Sequence, residues 1–298
     1  MDGLSGREGG LAPAPSLPPL LIFHRTSIRG PQLEGKVTLF TQILSFESLP
    51  STNLELARRA GEGAAEGLCV VAAEQTAGRG RLQRQWVSPK DAGLYFSILL
   101  RPQLEQCNWP LLTLMAAVAV HDALLDACAL ATDIKWPNDI LANDKKLCGI
   151  LAETVETPLG RAVIIGIGIN LSRNSFPVEL ESAATSVETA TGRSYKLETL
   201  LAALTGALEK RYEAFKQADG KQADGAAAII REWCARSSYS EGKLVRVTES
   251  NEVFAGTTRG LERDGALRVE TADGNLRVVR AGDVRSLRPE IGPGNISA

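Results

Sequence analysis

Histidine is nearly missing from this chain: 298 residues contain only His24 and His121. Without histidine clusters or a Cys-x-x-Cys pair, neither a structural zinc site nor a histidine-based triad is available. His121 falls inside an apolar helical stretch and reads as a helix-surface or core residue. The five cysteines are odd in number and scattered, four of them within apolar runs. That excludes a disulfide framework and reads as reduced, mostly buried thiols of a cytoplasmic protein. Net charge is also small, at −2, so no global basic field points to nucleic acid or to a membrane surface. The longest apolar stretch, Trp109 to Val120, is too short to span a bilayer and runs into His121-Asp122. Near the start, Leu17 to Phe23 is interrupted by two prolines and lacks a small-residue cleavage site. No signal peptide is read there.

What remains is a chain long enough for one large domain and a smaller one. Residues 1–35 are rich in glycine, proline and serine without periodicity and read as a disordered or loosely packed extension. From Lys36 the pattern becomes α/β (α+β). Strands are expected at Val37–Phe46, Leu68–Ala73, Leu94–Leu100 and Arg161–Leu171. A helix opens at Thr52-x-x-Glu55, read as a capping box, and a long apolar helix runs from Pro110 to about Leu130. Ile140–Ala142 and Leu147–Val155 read as a hairpin turning at Asn143–Lys146. Because these strands cluster instead of alternating with helices, a mixed sheet is predicted. Further helices are expected at Leu197–Lys216 and Ala226–Arg236, separated by a tandem Lys-Gln-Ala-Asp-Gly copy read as a solvated insertion with Asp-Gly turns. Short alternating strands from Lys243 to Val279 then predict a small β-barrel-like domain.

The one dense cluster of like charge is Gly78-Arg79-Gly80-Arg81-Leu82-Gln83-Arg84-Gln85-Trp86. Three guanidinium groups this close repel one another unless an anion sits among them. Arginine presents a planar fork of donors suited to carboxylate and phosphate oxygens, so a phosphate-bearing small molecule is the expected guest. A solvated basic turn is the alternative reading. Lys135-Trp136-Pro137-Asn138-Asp139 offers a lysine and a carboxylate around a rigid Trp-Pro. Lys146-Leu147-Cys148-Gly149-Ile150-Leu151-Ala152-Glu153 opens on a lysine that, beside Lys145 at a hairpin turn, is also open to a solubilising role. Gly166-Ile167-Gly168-Ile169-Asn170 lacks the third glycine and following helix of a dinucleotide fingerprint. Its period of two belongs to a strand with one bare face, a flat floor for a ligand or a site of tight packing.

In this order and spacing, these four motifs resemble those of the biotin protein ligases, over a span from about Leu39 to about Leu287. The family's loop has glycine where this chain has Gln83; Arg79, Arg81, Arg84 and Trp86 stay in register. The resemblance implies a biotin/ATP-binding catalytic domain at 36–239, an SH3-like C-terminal domain at 240–290 and a tail at 291–298. It also implies a short form, since residues 1–35 lack the length and helical pattern of a helix-turn-helix domain. The implied reaction forms biotinyl-5'-adenylate from biotin and ATP, with Mg²⁺, and then passes biotin to a lysine of a biotin carboxyl carrier domain.

The family's site carries over onto Arg79, Arg81 and Lys146 for catalysis. Ser51, Thr52, Asn53, Gln75, Gly78, Arg79 and Lys146 carry over for biotin. Arg81, Arg84, Trp86, Lys135, Asn138 and Asn170 carry over for the nucleotide, and Asp139 as a magnesium ligand. Lipoate or octanoate ligases share the fold but place Arg-Arg-x-Ser-Gly-Gly-Gly and a nearby histidine here, and this chain has neither. A biotinyl-adenylate-binding regulator and an inactive scaffold are the readings from other classes. No nucleic-acid or membrane partner is expected, and a homodimer is left open.

Overall fold

The computed structural model describes residues 40, 42–103, 105–217, 223–249 and 252–287. The expectations for residues 1–35 and for the 291–298 tail lie outside them. The first part builds one seven-stranded sheet from β1 (Ile43–Phe46), β2 (Cys69–Ala72), β3 (Gly93–Leu100), β4 (Asp133–Lys135), β5 (Asp139–Ala142), β6 (Lys145–Val155) and β7 (Ala162–Asn170). Their order across the sheet is β1-β2-β3-β7-β6-β5-β4. Only β1 and β2 pair in parallel, so the sheet is mixed, as the clustering of strands implied.

Alternation along each strand gives the sheet two different faces. On β7, Val163, Ile165, Ile167 and Ile169 join the main core, together with Phe96 and Ile98 of β3. Helix α2 (Pro110–Cys128) lies over this face. It is apolar on all sides because α4 (Leu197–Gln217) and α5 (Ala223–Cys234) cover it from outside. Length and composition would suit a membrane crossing, but the helix is mostly buried in the protein core. Pro110 starts it, where a missing N–H costs nothing, and Ala129 ends it in a left-handed conformation with φ 49.

The opposite face carries α1 (Thr52–Gly61), which packs Leu56 and Ala60 on Val70, Leu99 and Ile164. Beyond α1 this face changes character. The next β7 residues pointing the same way are Gly166, Gly168 and Asn170, and on β3 they are Ser97, Tyr95 and Gly93. A cleft opens where the apolar side chains stop.

Three local expectations change. Helix α1 is capped by Ser51, with Thr52 already inside it, and no side chain closes a capping box. The Thr52 hydroxyl turns sideways to Gln75 and Ser97 instead, and Glu55 pairs with Arg58 and Arg59. The β5–β6 turn narrows to Asn143-Asp144, both at positive φ, so Lys145 and Lys146 stand on the strand itself. The second Asp-Gly of the tandem copy lies in the first turn of α5 and not in a turn between helices. Strand β4 and the short helix α3 (Val187–Thr191) were not anticipated.

The C-terminal part is an antiparallel sheet of β8 (Glu241–Glu249), β9 (Glu252–Leu261), β10 (Leu267–Glu270), β11 (Leu276–Val279) and β12 (Asp283–Ser286), in the order β11-β10-β9-β8-β12. Its two edge strands do not pair among the described residues, so the expected barrel is open. The sheet joins the first part through a buried hydrogen bond. Trp136 Nε1 donates to the Gly265 carbonyl, between β9 and β10, at 3.0 Å. Gly265, at φ +83, sits so close to α2 that a Cβ there would lie 2.9 Å from Leu114 Cδ1.

Candidate active site

The cleft has a volume of about 260 Å³ and is walled by the start of α1, the arginine loop, β5–β7 and the tip of the C-terminal sheet. Its floor is the glycine pattern read in β7. Gly168 pairs with Gly149 of β6, and the Trp86 indole lies on both. A Cβ at Gly168 would sit 2.5 Å from Trp86 Nε1, and one at Gly149 3.0 Å from Trp86 Cζ3. A Cβ at Gly166 would sit 2.3 Å from Asn53 Oδ1. The floor is flat and carries two side chains of the site, the Trp86 indole and the Asn53 amide.

The arginine loop folds as a small hairpin. Trp86 N donates to Gly78 O at 3.0 Å and Gly80 N donates to Arg84 O at 2.7 Å. A Cβ at Gly78 would meet Trp86 O at 2.3 Å, so this close approach requires glycine. At the tip, Leu82 and Gln83 have φ 54 and 59, a region that costs L-residues about 1–2 kcal/mol each. Glycine at position 83 would remove half of that strain, which gives a physical reason for the family's preference there.

The three arginines do different things. Arg79 pairs with Glu153 at 2.9 Å, and Arg84 pairs with Asp283 of β12 at 3.0 Å. Arg81 donates to Asn138 Oδ1 at 3.1 Å and makes no ion pair among the described residues. Burial draws Arg81 below its ordinary value against the pull of Asp139 and Asp283. Asn138 in turn donates to the Ile150 carbonyl, so Arg81 is held to the sheet through a neutral partner. It is the loop's uncompensated cation. Burial alone would raise Asp283; the Arg84 hydrogen bond and charge, with Lys135 and Arg285, outweigh it and hold the carboxyl below its usual value.

Lys146 Nζ lies 2.7 Å from Asp139 Oδ1 and 5.4 Å from the centre of the Trp86 ring. Lys135 reaches the other Asp139 oxygen at 3.8 Å. Lys145 points away and donates to the Glu181 carbonyl on the surface. The two lysines therefore meet different surroundings, Lys146 the cleft and Lys145 the surface. Among the described residues no three His, Cys, Asp or Glu side chains converge as a metal cage. The donor set fits a magnesium ion carried on phosphate oxygens, with Asp139 the carboxylate at hand. Cys148, beside this group, faces the core, and burial pushes its thiol up, so it is no nucleophile.

At the other end, Thr52 N and Oγ1 both donate to Gln75 Oε1, and Gln75 Nε2 donates to Ser88 Oγ. Ser97 Oγ, fully buried, donates to Asn53 Oδ1 at 2.6 Å and shares a bond of 2.7 Å with Thr52 Oγ1. Asn53 Nδ2 donates to Glu153 Oε2 at 2.8 Å. Asn170 is buried and donates to the Thr185 carbonyl, tying the 173–185 segment to the wall. Thus Ser51, Thr52, Asn53, Gln75, Arg79, Arg81, Arg84, Trp86, Lys135, Asn138, Asp139, Lys146 and Asn170 all line one cleft, with Gly78 at the loop's stem.

Three polar members were missed from the sequence. Ser97 left a signal, one serine inside the apolar run Leu94–Leu100. Glu153 closes the Lys146–Glu153 motif but drew no role there, and Asp283 left no signal; each meets its arginine only through the tertiary fold.

Comparison with known proteins agrees with this geometry. Residues 44–170 match the biotin/lipoate A/B protein ligase family, and residues 242–285 match the biotin protein ligase C-terminal domain. The bifunctional ligase/repressor BirA of Bacillus subtilis is 38% identical over 244 residues, covering 80% of this chain and 72% of its own. The biotin–[acetyl-CoA-carboxylase] ligase of Mycobacterium tuberculosis is 32% identical, covering 86% of this chain and 93% of its own. Among solved structures, the Aquifex aeolicus biotin protein ligase in complex with biotin and ATP superposes with a TM-score of 0.70 at 27% identity. That match covers 84% of this chain and 100% of that one. With the motifs, the cleft and both parts of the fold in agreement, the chain belongs to the biotin protein ligase family.

Proposed function

We propose that this cleft carries out both halves of the ligase reaction, with its charged groups divided between holding the loop and holding the reactants. The chain is an ATP-dependent biotin protein ligase. In the first half a biotin carboxylate oxygen attacks the α-phosphorus of ATP, and the bond to the leaving pyrophosphate breaks. In the second half a lysine amine of a biotin carboxyl carrier domain attacks the mixed anhydride's carbonyl, and AMP leaves. Both halves gather negative charge at one phosphoryl group, so preorganised cations are the main catalytic requirement.

Arg81 and Lys146 are assigned that role. The observation carrying it is their placement: the loop's one uncompensated guanidinium and a strand-borne ammonium face a single cleft over a glycine floor. Ser51, Thr52, Asn53 and Gln75 form a neutral donor–acceptor end suited to a ureido ring, which is costly to bury without partners. Asn170 offers an amide to an adenine edge. Trp86 is the apolar cover. Magnesium, bound with the nucleotide, would offset triphosphate charge. Arg84 and Lys135 face the pyrophosphate end. Five free thiols support a cytoplasmic setting.

The test is incubation of the purified chain with biotin, ATP and Mg²⁺. Pyrophosphate release that depends on biotin, followed by labelling of an added carrier domain, is expected. Activity with lipoate and none with biotin would move the assignment to the other branch of the fold.

A further inference from the structure

We propose that Glu153 is a positioning residue of this ligase, one carboxylate that fixes both the stem of the arginine loop and the amide of Asn53. The proposal rests on the reaction assigned above, whose substrates it organises.

Glu153 stands on β6, where alternation turns Gly149, Leu151 and Glu153 to the cleft face. Its two oxygens have separate duties. Oε1 pairs with Arg79 Nη2 at 2.9 Å, and Oε2 accepts from Asn53 Nδ2 at 2.8 Å. Asn53 is 4% exposed, and its carbonyl oxygen accepts from the fully buried Ser97 hydroxyl at 2.6 Å. The amide therefore has one satisfied orientation, nitrogen toward Glu153 and oxygen toward Ser97 over Gly166. A flip would set the amide oxygen against the Glu153 carboxylate and the Leu151 carbonyl, neither of which can donate to it. The charge on Glu153 thus dictates which face of Asn53 a ligand meets.

The same charge decides what Arg79 does. Paired to β6, Arg79 anchors the first strand of the loop hairpin, whose closing bonds join Gly78 to Trp86 and Gly80 to Arg84. It also takes one positive charge out of competition for the reactants, leaving that task to Arg81. Loss of the carboxylate frees Arg79 to follow the anions into the cleft and releases the stem.

Two variants separate the two duties. Glu153→Gln keeps an oxygen for Asn53 and drops the charge on Arg79; Glu153→Ala drops both. For Glu153→Gln we expect protease cleavage within residues 78–86 to rise about 3- to 10-fold, as suits one partly exposed charge-assisted contact. Pre-formed biotinyl-adenylate should dissociate faster by a similar factor, while the KM for ATP does not rise. Glu153→Ala should add a rise of about tenfold in the KM for biotin, because a buried amide loses its partner. In an Arg79→Gln background, Glu153→Gln should change neither cleavage nor dissociation further.

Loop cleavage is read without substrates, so it tests the tie independently; a wild-type chain that forms no adenylate would sink the ligase reading instead. The proposal is overturned if Glu153→Gln matches wild type in cleavage and dissociation, or if its effects persist in the Arg79→Gln background. It is also overturned if melting temperature and every kinetic parameter fall together, the mark of a purely structural residue.

Discussion

Replacing Lys146 with methionine keeps the stem of the side chain and removes only its ammonium. In the folded protein that ammonium lies 2.7 Å from Asp139, while Lys135 is farther off at 3.8 Å. The variant therefore loses a cation facing the reactants and also uncovers a carboxylate beside them. A charge-assisted contact is worth about 1.5–3 kcal/mol, or roughly 10- to 150-fold in rate at about 1.4 kcal/mol per decade. The uncovered Asp139 repels incoming phosphate, so the loss should sit at the upper end. Lys145→Met is the control, because Lys145 donates only to an exposed carbonyl of Glu181, and its activity should stay within about twofold of wild type. The assay is biotin-dependent pyrophosphate release at saturating ATP, with circular dichroism to verify folding. Equal losses from Lys145 and Lys146 would refute the placement of the charge.

Arg81→Gly removes the one loop arginine without a carboxylate partner and adds backbone freedom; pre-formed adenylate should leave at least about tenfold faster and stray biotin should appear on unrelated lysines. An unchanged dissociation rate would reduce Arg81 to a static contact. Gly168→Ala places a methyl 2.5 Å from the Trp86 indole, so the indole must shift, which a change in tryptophan fluorescence should report along with raised KM values. Asp283→Asn cuts the Arg84 tie, a partly exposed pair worth about 0.2–1 kcal/mol, and frees Arg84 for phosphate, so pyrophosphate should inhibit up to about fivefold more strongly. Because the Asp283 carboxyl is depressed in the folded chain, its contribution is full above about pH 4 and is lost as pH falls through the lowered folded value. The stability gap between wild type and this variant should close only in that acid window, as followed by thermal melts across pH.

The sequence made the cations and the floor legible because each depends on local pattern. The β7 run alternates isoleucine with glycine, and strand periodicity alone predicts a core face and a bare face. Arg81 and Lys146 could be picked out because their motifs carry the resemblance. The partners were hidden for a physical reason: Asn53 meets Glu153 across 100 residues and Arg84 meets Asp283 across 199, so neither pairing leaves a local trace. Thr52 shows the opposite failure. Its spacing to Glu55 satisfies the rule for a capping box, yet tertiary partners, Gln75 and Ser97, took the hydroxyl that the local rule assigned to the helix.

The pairing of cleft cations with carboxylates also bears on turnover. Arg79, Arg81, Arg84, Lys135 and Lys146 make five positive charges, and Glu153, Asp283 and Asp139 return three negative ones, leaving a net of two. Five bare cations would grip pyrophosphate as firmly as they gripped the triphosphate, and each cycle would stall on a product that could not escape. With two of the arginines already committed to fixed carboxylates, the departing anion carries more charge than the cleft can balance. The same ties that keep the loop in shape therefore make the site a poor trap for its own by-product, which speeds product release.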